Sequence, residues 1–291
     1  MRLVSFVYEG ELRLGAIKEE PSGEQIVVDL NRANPRLPQE IIGFLSLGDQ
    51  ARVLASEALL AVPPSAAMSL SRVQLKAPIP KPGKIICIGL NYLDHAIESG
   101  QEVPEYPTVF AKFSNCVIGH KEAIVHPRIS KQVDYEAELA FVIGRRAKAV
   151  PASQAFDYVA GYLCFNDISA RDFQNRTSQW VIGKSFDTFA PMGPVLATAD
   201  EIPNPHSLHI ALSINGEVMQ SSNTGNMIFT VPRLVESLSA VMTLEPGDII
   251  ATGTPSGVGF SRNPPRWLKP GDVVRVEIER LGVLENQVIA E

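Results

Sequence analysis

VDYEAELAFVIG, residues 133 to 144, decides how the chain is read. It sets Asp134, Glu136 and Glu138 at alternate positions ahead of an apolar run that stops at Gly144. On a helix, residues two apart fan out to different faces. On a strand, period-two alternation puts the three carboxylates on one side and Tyr135, Ala137, Leu139 and Phe141 on the other. Glu, Ala and Leu favour a helix, but LAFVIG continues with strand formers and ends at a glycine, so a strand is predicted. Like charges in a row repel unless a Lys, an Arg or a divalent cation lies among them. The other reading is a solvated edge strand whose charges discourage aggregation.

A chain of 291 residues buries a good core as one large domain, or as a small domain plus a larger one. A net charge of −6 and a pI near 5.5, with no basic stripe or tail, exclude nucleic acid and anionic membranes as expected partners and point to a small molecule. No apolar run has the length of a membrane span, and MRLVSFVYEGELRLG alternates like a strand without a signal-peptide core, so a cytoplasmic protein is expected. Cys87, Cys116 and Cys164 are odd in number, widely spaced and set among apolar residues. They read as core thiols, not as disulfides or a zinc site.

Residues 1–75 form a small unit, with strands at RLVSFVYEG, ELRLGAIKE and QIVVDL and helices at PQEIIGFLSLG and ARVLASEALLA. KAPIPKPGK, residues 76–84, resists both helix and central strand and reads as a linker. From 85 to 291 short β-rich runs dominate, separated by Gly, Pro, Asn and Asp. SQAFDYVAGY and VPRLVESLSAVM are the clearest helical signals there. The class expected is α+β, mainly β, without alternating βαβ units.

Four segments carry candidate chemistry. In GLNYLDHAIESG, residues 89–100, His95 and Glu98 share one face if the segment is helical, and the carboxylate then orients the imidazole as a general base requires. A surface pair of no consequence is the alternative. In FNDISARDFQNR, residues 165–176, Asp167 ends an apolar run and is either an oxygen ligand for a cation or a turn cap, with Arg171, Asp172 and Gln174 just beyond. In WVIGKSFDTFAPMGP, residues 180–194, Lys184 sits among apolar residues, which calls for an ion-pair partner or an anionic substrate unless the side chain snorkels to water. ATGTPSGVGFS, residues 251–261, is neither a Walker loop, a dinucleotide fingerprint nor a nucleophile elbow. It offers backbone amides and the Thr252 and Thr254 hydroxyls, suited to a carboxylate, or it is a plain turn.

In this order, GLNYLDH, DYEAELAFVIG, NDISARDFQ, GKSFDTFAPMGP, NGEVMQSSNT and PGDIIATGTPSGVG resemble the fumarylacetoacetate hydrolase family across residues 80–290. The resemblance implies a mixed β-roll catalytic domain, a variable small N-terminal domain and a homodimer. It implies Glu136, Glu138 and Asp167 as ligands of Mg2+ or Mn2+, with Asp134 outside that set. It implies a catalytic pair in His95 and Glu98, a lysine beside the metal and substrate in Lys184, and substrate contacts at Arg171, Gln174 and Thr254. The family's name-giving hydrolase has a further acidic ligand upstream of its histidine, and KIICIG offers none. The chain is therefore more similar to the branch of acylpyruvases, oxaloacetate decarboxylases and enol-keto tautomerases. That branch implies a cation whose charge stabilises an enolate of a small 2-oxo acid, leading to C–C hydrolysis, decarboxylation or tautomerisation. The alternatives are an isomerase-decarboxylase of the 2-hydroxymuconate type and a binding protein without turnover.

Overall fold

The computed structural model describes residues 1–291, and in it Ala137–Ile143 is a strand with every residue buried. It pairs antiparallel with Val159–Asn166 on one side and with Ile249–Ala251 on the other. A strand covered on both edges and both faces is a central one, which removes the solvated-edge reading of the acidic row. The row is also not one strand. Val133–Asp134 pairs separately with Ser169–Ala170, and the chain breaks step at Tyr135 and Glu136 before the longer strand begins. At the break the Glu136 amide donates to the Asn166 side chain at 3.1 Å, and its carbonyl accepts from the Asp167 amide at 2.9 Å. The three acids thus leave the backbone from two strands and the joint between them.

Around this strand runs a 12-stranded mixed sheet. Its path is Ala67–Ser69, Gln25–Asp29, Glu11–Glu19, Arg2–Tyr8, Ala190–Thr198, Val159–Asn166, Ala137–Ile143, Ile249–Ala251, Ile85–Gly89 and Thr108–Lys112. Gln74–Leu75 and Val117–Ile118 pair beside it. A second sheet of five strands, Glu217–Asn223, His209–Ile214, Val273–Ile278, Gly282–Ala290 and Ile124–His126, completes the β-roll. Buried side chains such as Phe141, Tyr162, Phe165 and Phe189 form one continuous core. The architecture is α+β and mainly β, as expected. The N-terminal strands enter the same large sheet where Arg2 and Leu3 face Ala197 and Leu196. Residues 76–84 hold no helix or strand, as their prolines dictate, but Ala77 and Ile79 are buried and Ser5 Oγ donates to the Pro78 carbonyl at 2.9 Å. This segment is packed into the protein and is not a solvated tether. All three cysteines are free and buried.

Helices occur at Ile41–Ser46, Asp49–Leu60 and Val231–Val241, where the apolar spacing predicts them. SQAFDYVAGY differs, because Ala152–Tyr158 is a 3-10 helix and Val159 already starts a strand. The reason lies at Gly161: a Cβ there would lie 2.1 Å from the Ala197 carbonyl oxygen, so the glycine serves a close strand-to-strand approach beside a register shift. Gly161→Ala is expected to lower stability by about 1–3 kcal/mol through this overlap, measured by urea denaturation.

Candidate active site

Glu136, Glu138 and Asp167 converge at the centre of the large sheet, each offering an oxygen within 4.8 Å of the other two, and all are buried. Burying carboxylates is costly unless partners meet them. Lys184 Nζ donates to Glu136 Oε2 at 2.7 Å and to Asp167 Oδ2 at 2.8 Å. Lys112 Nζ donates to Asp167 Oδ1 at 2.5 Å and to the Ile168 carbonyl at 3.0 Å. The Arg171 guanidinium spans Glu136 Oε1 at 2.6 Å, Asp134 Oδ2 at 2.9 Å and Gln174 Oε1 at 2.9 Å. Lys184 reaches this place because residue 183 is glycine. A Cβ on Gly183 would lie 2.4 Å from the Gln174 amide nitrogen, so the turn Val181–Lys184 seats against Arg171–Gln174 only without one.

Glu138 is different. Its only partner is the Gly253 amide, which donates at 2.8 Å, and no cationic side chain reaches it. Burial pushes Glu138 well above the ordinary carboxylate range, and the charges of Asp167 and Glu136 push it further. Burial also acts upward on Glu136, but Lys184 and Arg171 outweigh it and bring that carboxyl down to about 2. Lys184 is pulled down by burial, yet Asp167 and Glu136 dominate and raise it. Asp134, Glu136, Glu138 and Asp167 meet Lys112, Arg171 and Lys184, so with all groups ionised one negative charge is left over, at Glu138. A cluster of three hard oxygen donors with an uncompensated charge fits a divalent cation such as Mg2+ or Mn2+.

Facing this cluster is the helix Leu93–Ser99. Asn91 fixes its entry, with Nδ2 donating to the carbonyls of Phe229 at 3.0 Å and Thr252 at 2.7 Å. Ser222 Oγ donates to Asp94 Oδ2 at 2.6 Å and holds the first turn. His95 Nδ1 and Glu98 Oε2 are 3.2 Å apart, on one helix face as their spacing predicts, and His95 is buried. His95, Glu136, Glu138, Arg171, Gln174 and Thr254 line one cavity of about 280 Å³, and Lys184 forms part of its wall. Phe110, Trp180, Phe260 and Trp267 form the aromatic part of that wall. Another cavity, of about 230 Å³, lies under the helix Asp49–Leu60, but its charges pair with one another, as in Arg145 with Asp49 at 2.6 Å.

Every sequence-predicted site residue therefore lies in this region. Asp134, outside the implied ligand set, holds the Arg171 that also pairs with Glu136. It is fully buried and accepts from Arg171, from the Gly259 amide at 2.7 Å and from the Phe260 amide at 3.1 Å. Four amides of the glycine-rich loop, expected to be open to a carboxylate, are taken within the protein instead: Gly253 serves Glu138, Gly257 serves Glu98 at 2.9 Å, and Gly259 and Phe260 serve Asp134. Lys184 takes the ion-pair reading, being only 2% exposed and bonded to Glu136 and Asp167. Two residues went unread in the sequence. Lys112 ends the run TVFAK, a charge closing an apolar strand, which is the same signal that marks Lys184. Gln220 pairs with Thr254 across 34 positions, and no local pattern announces it.

An acid–base pair facing a cluster of buried oxygen donors is the arrangement of an enzyme site. The family model described as Fumarylacetoacetate (FAA) hydrolase C-terminal matches residues 84–289. The chain belongs to the fumarylacetoacetate hydrolase family and is an enzyme of that family. It is 47% identical over 264 residues to the rat protein named oxaloacetate tautomerase Fahd2a, mitochondrial, a match covering 90% of this chain and 84% of the relative. Among solved structures, the fumarylacetoacetate hydrolase of psychrophilic Exiguobacterium antarcticum superposes with a TM-score of 0.86 at 34% identity, covering 100% of both chains. The 5-carboxymethyl-2-hydroxymuconate delta-isomerase of Mycobacterium smegmatis gives 0.80 at 33%, also covering 100% of both chains. The expectation of a cytoplasmic protein is overturned by the rat relative, whose name places it in mitochondria. No helix here is long and apolar enough to cross a membrane, but that feature does not distinguish one aqueous compartment from another.

Lys112 tests the electrostatic balance. Lys112→Met is expected to destabilise the protein by about 3–5 kcal/mol, because Asp167 loses a fully buried partner. Lys112→Met combined with Asp167→Asn should cost less than the sum of the single changes, read by urea denaturation.

Proposed function

We propose that the chain interconverts the keto and enol forms of oxaloacetate, using Mg2+ or Mn2+ held by Glu136, Glu138 and Asp167. The observation that carries this reading is the uncompensated carboxylate of Glu138 in the same cavity as the His95–Glu98 pair. The name of the rat relative supports the choice of oxaloacetate. When bound, a divalent cation supplies positive charge that favours the enolate of a 2-oxo acid. Tautomerisation takes one proton from C3 and delivers one to the 2-oxo oxygen, the C3–H pair becoming the C2=C3 double bond and the C2=O π pair passing to oxygen, with no bond between heavy atoms broken. Glu98 accepts at Nδ1 of His95, which leaves Nε2 as the nitrogen that takes and returns the proton. Lys184 adds positive charge beside the carboxylates, and Arg171, Gln174 and Thr254 orient the substrate carboxylate. The tautomerase reading needs no bound water as nucleophile, whereas hydrolysis of an acylpyruvate would require His95 and Glu98 to activate one.

A second reading is isomerisation of a longer 2-hydroxy-diene dioate. The four aromatic residues lining the cavity favour it, as does the likeness to the muconate isomerase. Residues 85–291 form the catalytic unit in both readings, and the family match over 84–289 supports that boundary. Exposed Tyr106, Val109 and Phe113 at the terminal strand of the large sheet support a homodimer.

Conversion of enol-oxaloacetate, followed by ultraviolet absorbance with Mg2+ or Mn2+ present, is expected to stop on chelation and on Glu138→Gln. Full turnover by verified metal-free protein overturns the proposal. His95→Ala should lower the rate by about 10²–10⁴-fold while metal affinity is retained. A variant at full rate removes His95 from the chemistry.

A further inference from the structure

Gln220 stands within NGEVMQSSNT, where no local pattern gives it a role, and is 1% exposed. Its Oε1 accepts from the Ala137 amide at 2.9 Å. Its Nε2 donates to the Pro255 carbonyl at 2.9 Å and to Thr254 Oγ1 at 2.8 Å. A backbone N–H can only donate and a backbone C=O can only accept, so the amide has one orientation and a flip would break both bonds. Thr254 Oγ1 therefore receives a hydrogen. Its own O–H has no acceptor within the protein, and Thr254 lines the cavity beside Glu138.

From this we infer that Gln220 is a positioning residue: it fills one acceptor lone pair of Thr254 and so turns the threonine hydroxyl hydrogen toward an anionic oxygen of the ligand. The inference rests on the proposed 2-oxo acid substrate and adds how the site tells an anionic oxygen from a donor group. An ammonium at this point cannot accept that hydrogen and is disfavoured, and a neutral hydroxyl accepts it more weakly than an anionic oxygen does. The same amide ties the start of the Ala137–Ile143 strand to the 251–261 loop, so ligand recognition is set from the strand that carries Glu138.

Oxalate, a planar mimic of a carboxylate beside an enolate oxygen, serves as the probe in titrations of the Mn2+-loaded protein. The chain's two tryptophans, Trp180 and Trp267, both line the cavity and report binding by fluorescence. Gln220→Glu turns the donor into an acceptor that captures the Thr254 hydroxyl, and is expected to weaken oxalate at least about tenfold. Affinity for Mn2+ alone should not fall, because the added carboxylate breaks no bond to the ion and its charge attracts a cation. A merely structural role for Gln220 would weaken both. Thr254→Val should reproduce the loss, Thr254→Ser should restore binding, and Gln220→Glu added to Thr254→Val should cost little more. If Gln220→Glu fails to fold, the Val and Ser variants of Thr254 decide the matter. Oxalate bound equally by wild type, Gln220→Glu and Thr254→Val overturns this inference alone. Wild-type protein that binds Mn2+ but no oxalate overturns the substrate reading and this inference together.

Discussion

The structure depends on a charge imbalance held out of water. Four carboxylates and three cations meet in the middle of a sheet, and the arrangement is tolerable because each anion except Glu138 has a cationic side chain against it. Lys112 and Lys184 divide Asp167 between them, and Arg171 bridges Asp134 and Glu136. Such a network is worth little as net stability, since desolvation offsets most of the attraction. Its value is geometric, because it keeps three buried oxygens within 4.8 Å of one another and leaves a single carboxylate, Glu138, without a cationic partner.

Much of this was legible in the sequence because strand alternation is local. VDYEAELAFVIG shows its acids at spacing two, and HAIE shows its pair at spacing three, so Glu136, Glu138, His95 and Glu98 could be read without a partner in view. Asp167 and Lys184 were visible as charges breaking apolar runs. The role of Asp134 was not visible, because it depends on a break in the strand and on amides 125 and 126 residues away. Gln220 and Lys112 were missed for the same reason. Their partners are distant in sequence, a lone Gln inside a strand carries no period, and Lys112 shows only a charge closing an apolar run. The 3-10 helix at Ala152–Tyr158 was misread as an α-helix because helical spacing stops at a strand crossing that only Gly161 betrays, and a single glycine is a weak sign.

The family relationship and the geometry answer different questions. Relatives named as tautomerase, hydrolase and isomerase share one fold with this chain, so the fold by itself does not select among their reactions. What the chain contributes is an upstream strand, Ile85–Gly89, whose side chains carry no carboxylate, with Ile88 and Gly89 at the cavity wall.

The glycine-rich loop hands one amide to Glu138, one to Glu98 and two to Asp134. The proposed metal ligand, the proposed base partner and the anchor of Arg171 are thus registered on eight consecutive residues of backbone. A shift of that backbone detunes all three at once, so selection can seldom alter one catalytic element here without disturbing the others. Side chains elsewhere on the cavity wall, Phe110, Trp180 and Trp267, make no such shared bonds. Divergence of substrate preference on this scaffold is thereby channelled to those positions, while the machinery around the loop is inherited as a unit.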